Sequence, residues 1–239
     1  MMEITTRMSN QSDTQDGSIG SIAKVINFNN FGVVQTKIPF DLYCFLEKSI
    51  NEIDKKPGEY NHLLLGHLQE EYSLNHIKDD IAEYILAVAN SWRNAYPGYV
   101  EAFEEAAKNT PYGIYLDSLW VNKQKKYEFN PLHQHAGVLS FVIWMKIPYN
   151  LTDEENYFPP TSAEIDGDRS KAATSKFCFY YTNTLGDIVP SLVPIDKGWE
   201  GTMMLFPSKL KHGVNPFYTS DDYRISISGN IRIQNEIKK

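Results

Sequence analysis

The chain has 239 residues, enough to bury a sizeable core, and its 42% hydrophobic, 22% charged and 13% aromatic content is that of a globular protein. A net charge of −7 argues against nucleic acid held on a broad basic surface, while leaving room for a local basic site. Two cysteines, Cys44 and Cys178, are too few for a disulfide framework or a thiolate metal site.

Residues 1–20 are rich in Ser, Asp, Gln and Gly and read as a disordered tail. They lack the apolar stretch of a secretory signal, and no later run is long enough to span a bilayer. A soluble cytoplasmic protein without a membrane partner is the expectation. Residues 21–239 read as one domain. The stretch ending at Pro39 suggests one or two short strands, and "DLYCFLEKSINEI" a helix capped by Asp41. In "NHIKDDIAEYILAVANSWRNAYPGY", Ile77, Ile81, Ile85, Val88 and Trp92 recur at helical spacing and form one apolar stripe. Asn75 can cap this helix, and Pro97 with Gly98 ends it. A shorter helix over "YVEAFEEAAKN" completes an α-helical preface spanning about 40–110.

The second half changes character. "YGIYLDSLWVNKQ", "GVLSFVIWMKIP", "SKFCFYYTN", "GTMMLFPSK" and "YRISISGNIRI" read as strands parted by Gly, Pro, Asn and Asp. Strict alternation sets Ile225, Ile227 and Ile231 against Arg224, Ser226 and Ser228. The polar stretch 150–173 between two strands reads as a lid or binding loop. Cys178, in "KFCFYY", reads as a buried thiol.

Chemistry gathers at two places. "NPLHQHAGVLSFVIW" holds His133 and His135 two apart at the mouth of an apolar run. In extended backbone these residues share a face, and Pro131 biases Asn130 away from the helical region. Gly137 permits a bend before the strand. Alone, the pair is either a metal chelate or a polar turn. Downstream, His212 follows a strand and a Pro-containing turn, and Arg224 stands twelve positions later with Ser226 on the same strand face. A guanidinium fork and a hydroxyl together suit a carboxylate. The plainer readings are a capped turn for His212 and a surface arginine for Arg224. Tyr127 and Trp144 suit a pocket or a core; His62, His67 and His76 read as structural or surface residues. Asp221 and Asp222 belong to a solvated turn, although either could supply a carboxylate if that turn folded inward.

This ordered set resembles the 2-oxoglutarate- and Fe(II)-dependent oxygenases, whose pattern is His-x-Asp/Glu, a distal His, then Arg-x-Ser. "GTMMLFPSKLKHGVNP" is especially similar to members from marine bacteria and their phages. The resemblance covers about residues 115–233. It implies a mainly β fold with an α-helical N-terminal part, built on a double-stranded β-helix (jelly roll, cupin-like). It implies Fe(II) on His133, His135 and His212, and 2-oxoglutarate held by Arg224 and Ser226 with Asn122 alongside. Dioxygen and a further substrate would be the other partners, and the implied reaction is hydroxylation with decarboxylation of 2-oxoglutarate to succinate.

His135 stands where the family carries Asp or Glu. Three readings follow: it coordinates directly; it is the first-histidine equivalent and Gly137 holds the carboxylate position, as in the halogenase branch; or the site has decayed. Beside the oxygenase stand a cupin-like three-His dioxygenase that needs no 2-oxoglutarate, and a non-catalytic jelly-roll binding module.

Overall fold

The computed structural model describes residues 30–53, 66–97, 99, 112–157 and 173–235. The expected tail over 1–20, the helix past residue 99, His62 and most of the 150–173 segment lie outside them. The elements run β1 (Val34–Lys37), α1 (Phe40–Glu52), β2 (Glu70–Ser73), α2 (Lys78–Ala95), β3 (Tyr112–Gln124), β4 (Asn130–His133), β5 (Leu139–Lys146), α3 (Leu151–Asn156), β6 (Phe177–Thr182), β7 (Ile188–Val193), β8 (Thr202–Pro207), β9 (Lys211–Val214) and β10 (Arg224–Asn235). The longer strands fall where alternation and β-branched residues put them. Short β2 and β9 and proline-bearing β7 carry too little pattern to be read in advance.

Two antiparallel sheets result, one of order β1-β8-β5-β10-β3-β2 and one of order β4-β9-β6-β7. This is the jelly-roll, double-stranded β-helix architecture expected. The alternation along β10 explains its two faces. Ile227 and Ile231, with Leu119 and Val121 of β3, join Leu46 and Ile50 of α1 and Ile81, Ile85, Ala89 and Trp92 of α2 in one buried core. Each such side chain contributes about 1.5–3 kcal/mol on leaving water. The other face of the same two strands is polar. Arg224, Ser226, Ser228 and Asn230 lie opposite Gln124, Asn122, Trp120 and Ser118. Helices thus cover the apolar side, and the polar side faces inward between the sheets.

A second core of Trp144, Phe177, Phe179, Phe206 and Phe217 fills part of that inner space. Cys178 is buried and free.

The α2 stripe packs as expected, except that Ala89 rather than Val88 is fully buried. Asn75 does not cap the helix. Its Oδ1 accepts the backbone N–H of Leu119 at 2.8 Å, tying the helix entrance to β3. Asp41 lies inside the first turn of α1, where its charge complements the helix dipole, while Pro39 occupies the cap.

Candidate metal centre and adjoining cavity

Strand register brings the histidines together. His133 of β4 is the direct cross-strand partner of His212 of β9. Their ring centroids are 4.3 Å apart. His135 lies just past β4, its N–H donating to Ser208 O at 2.9 Å. Gly137 then turns the chain into β5 at φ +107°, and a Cβ there would meet Ile231 O at 2.7 Å. Position 137 therefore points at the β10 backbone.

One potential ligand atom from each of His133, His135 and His212 falls in a group with all separations within 4.8 Å. His133 Nδ1 lies 2.7 Å from Pro131 O, and His212 Nδ1 lies 2.9 Å from Leu210 O. A carbonyl can only accept, so both Nδ1 atoms carry the proton and both Nε2 lone pairs are free. His135 Nε2 sits 3.1 Å from His212 Nε2, a separation that calls for one proton or one cation between them. Burial holds all three imidazoles neutral. It lowers His133; burial and then the His133 charge bring His135 down to about 4. Burial first, then His133 and His135, hold His212 well below the usual range. Neutral, oriented imidazoles are the state a metal requires.

The triad borders a cavity of about 340 Å³ between the sheets, which Asn122, Arg224 and Ser226 also line. Arg224 is 3% exposed, which removes the surface-arginine reading, and His212, also 3% exposed, is no turn residue. All five guanidinium N–H groups of Arg224 are engaged. Nε donates to Gln124 Oε1 at 3.1 Å, and Nη2 to the same oxygen at 2.6 Å and to Asn215 O at 2.7 Å. Nη1 donates to Tyr149 Oη and to Ser175 O, each at 2.6 Å. Every one of these acceptors is neutral, so the buried charge meets no carboxylate among them. Ser226 Oγ and Ser228 Oγ accept from Asn122 Nδ2 at 3.4 and 3.2 Å.

Other candidates divide. Trp144 lines the cavity, whereas Tyr127 is 55% exposed and packs edge-on against Tyr218. Asp221 and Asp222 pair with Lys126 and Lys146 and are not among the cavity-lining residues. His67 stacks on Phe129 at 4.7 Å. Sequence reading missed Gln124 and Tyr149, which hold Arg224, and Glu71, a buried carboxyl lining the cavity. Alternation along "LWVNKQ" could have pointed to Gln124, two places beyond Asn122. Glu71 sits in a four-residue strand with no comparable signal.

The fold and the site together define a double-stranded β-helix protein with a histidine cluster between its sheets. Residues 118–230 match the family model described as "Putative 2OG-Fe(II) oxygenase", the same family that the motif resembles. Among solved structures, a Pseudomonas putida prolyl-4-hydroxylase is 14% identical with a TM-score of 0.48, covering 84% of this chain and 92% of that one. A Burkholderia pseudomallei oxidoreductase of the 2OG-Fe(II) oxygenase family is 14% identical with a TM-score of 0.44, covering 84% of each chain. The viral collagen prolyl hydroxylase of Paramecium Bursaria Chlorella virus-1 is 12% identical with a TM-score of 0.41, covering 83% and 94%. No curated protein matches the chain significantly.

Proposed function

We propose that the protein is a 2-oxoglutarate- and Fe(II)-dependent dioxygenase that hydroxylates a C–H bond of its substrate. His133, His135 and His212 would hold Fe(II). Bound there, the metal and 2-oxoglutarate supply dioxygen chemistry, with 2-oxoglutarate leaving as succinate. The observation that carries this reading is the three-imidazole cluster, with Nδ1 of His133 and His212 turned to backbone carbonyls and with His135 Nε2 against His212 Nε2. The donor set fits a divalent metal. It also favours direct coordination by His135 over a vacant ligand position at Gly137, which points away at Ile231.

Arg224 and Ser226 would hold the distal carboxylate of 2-oxoglutarate, with Asn122 beside them. A buried guanidinium whose four acceptors are all neutral is a site for an incoming anion, since a paired buried charge is far cheaper than an unpaired one. The carboxylate must displace one of those partners. Trp144, Phe177 and Phe206 give the chamber an aromatic wall.

Saturation of Arg224 by the protein's own acceptors favours one rival, a cupin-like three-His dioxygenase in which Arg224 is a structural tie. Anaerobic Fe(II) titration with and without 2-oxoglutarate separates them. The expected result is a metal-to-ligand charge-transfer band only when both are present. Arg224→Ala should weaken 2-oxoglutarate binding about tenfold or more, the weight of a charge-assisted pair, without changing iron affinity. Tight iron binding with no band would select the cupin-like enzyme. Unchanged iron affinity in His135→Ala would strike His135 from the ligand set.

A further inference from the structure

Along β10, Arg224, Ser226, Ser228, Asn230 and Arg232 alternate with the isoleucine face, and all five line the cavity. The two arginines stand about 26 Å apart along the strand, at about 3.3 Å per residue. Different residues of β3 hold them: Gln124 takes Arg224, and Asp117 takes Arg232 through Nε at 2.9 Å. Between them lies the cross-strand pair of Ser228 and Trp120, whose indole is 5.6 Å from the His135 ring. His135 thus stands beside the middle of the row, with one arginine towards each end. The ends differ in access, because Arg224 is 3% exposed and the Arg232 side chain 49%.

The open end also carries a hydroxyl that terminates a chain of hydrogen bonds. Ser140 Oγ donates to Asn230 Oδ1 at 2.8 Å, so Ser208 is the donor in its own 2.8 Å contact with Ser140. Asn230 Nδ2 donates in turn to Ser118 Oγ at 3.2 Å. Each bond in such a chain polarises the next. The chain starts on buried Ser208 and Ser140 and ends on Ser118, which lines the cavity. Among the described residues, no acceptor takes the Ser118 hydroxyl proton, and neither Nη of Arg232 is hydrogen-bonded.

We infer that Arg232 and Ser118 form a second carboxylate site of this chamber, and that the substrate is an acid bound through it. The inference deepens the oxygenase reading and rests on the same cavity being the substrate chamber. A guanidinium beside a hydroxyl repeats, at the open end, the kind of donor set that Arg224 and Ser226 make at the closed end. Such a set grips a carboxylate through the planar fork and one O–H. An exposed ion pair contributes little by itself, but this one is braced. Asp117 Oδ1 accepts from Tyr115 Oη at 3.4 Å, and the Arg232 stem passes the turn before β5, where a Cβ on Gly137 would lie 3.6 Å from Arg232 Cγ. Asp117 therefore fixes the Nε side of the guanidinium and leaves the Nη groups to a ligand. Its charge also selects the ligand, because a singly charged carboxylate is repelled less than a doubly charged phosphate. The chamber then has a division of labour. 2-Oxoglutarate keeps the closed end at Arg224, the substrate acid enters where Arg232 reaches solvent, and the two do not compete for one arginine.

The test uses the full chain, reconstituted anaerobically with Fe(II) and saturating 2-oxoglutarate, and three probes of similar shape: benzoate, benzamide and phenylphosphonate. Binding is followed by tryptophan fluorescence, because Trp120 and Trp144 line the cavity, while the charge-transfer band reports the co-substrate separately. Benzoate should bind about tenfold more tightly than benzamide or better, the weight of a charge-assisted pair, and more tightly than phenylphosphonate. Arg232→Gln should abolish the preference for benzoate while 2-oxoglutarate still raises the band. Arg232→Lys, which keeps the charge and loses the fork, should restore part of it, and Ser118→Ala should weaken benzoate by about threefold or more. Equal binding of benzoate and benzamide, no binding of either, or a preference that survives Arg232→Gln overturns the inference. Tighter binding of phenylphosphonate than of benzoate overturns the choice of a carboxylate. A missing charge-transfer band with a benzoate preference that Arg232→Gln removes would sink the oxygenase reading and still support the assignment of Arg232.

Discussion

At the scale of single residues, the half-buried His133 and His135 and the buried His212 make the protein sensitive to acid. Their folded pKa values lie below the ordinary 6.5, that of His135 at about 4. The unfolded chain therefore binds more protons than the folded one as pH falls below about 6.5, and each proton of difference costs about 1.4 kcal/mol per pH unit. The stability held by neutral imidazoles is fully present above pH 6.5 and is lost progressively towards pH 4. Urea midpoints of the metal-free protein should fall over that window, and His135→Gln should flatten the slope. An unchanged slope in that variant would mean that His135 is already protonated in the folded state. Glu71 has the opposite sign. Its folded pKa of about 7 stands above the ordinary 4.5, so stability is present below about 4.5 and declines as pH rises through 7. Glu71→Gln should gain on the order of 2–3 kcal/mol relative to the parent between pH 5 and pH 8, read from denaturation at both.

At the scale of elements, the site depends on how β4 hands over to β5. The turn carries His135 and is closed by the Ser208 carbonyl on one side and the Ile231 carbonyl, accepting from Val138 N–H at 2.9 Å, on the other. Gly137 makes it possible through its left-handed φ and by touching β10 so closely. Gly137→Ala should cost about 1–3 kcal/mol by chemical denaturation, and should weaken metal binding by moving His135. A neutral substitution would show that the turn has slack. A second tie sits on α3. Glu154 is 1% exposed and accepts from Tyr218 N–H, Thr219 N–H and the Thr219 hydroxyl, anchoring the segment that leads into β10 and Arg224. The sequence offered the strand side of these arrangements through alternation and the turn residues through Gly and Pro. It offered nothing for Glu154, whose partners lie more than sixty residues away.

At the scale of the whole molecule, the proposed metal would link both sheets through one point. His133 and His212 belong to the four-stranded sheet, while His135 begins the crossing to the six-stranded one. A ligand that binds only the folded chain stabilises it by about 2.7 kcal/mol at a hundred times its Kd, which for this size raises the melting midpoint by about 5–10 °C. Anaerobic melts with Fe(II) or Mn(II) should show that rise, and His212→Ala should abolish it. A rise that survives the substitution would place the metal elsewhere. No helix among the described residues is long and apolar enough to cross a membrane.

Taken by itself, the sequence determined the class of the fold and the identity of the chemical groups. Alternation along β10 separated an isoleucine face from an Arg–Ser face, and 3.6-residue periodicity drew the stripe of α2, because both patterns are local and set by backbone geometry. The spacing of His133, His135, His212, Arg224 and Ser226 carried the family resemblance. What only the tertiary structure decided were the pairings between distant residues. Opposition of His133 and His212 is a matter of register between β4 and β9, and the ring of acceptors around Arg224 comes from Gln124, Tyr149, Ser175 and Asn215 on separate elements. Glu71 entered the chamber only because an edge strand paired with β3. Register and burial are properties of the assembled sheets, and no local pattern encodes them.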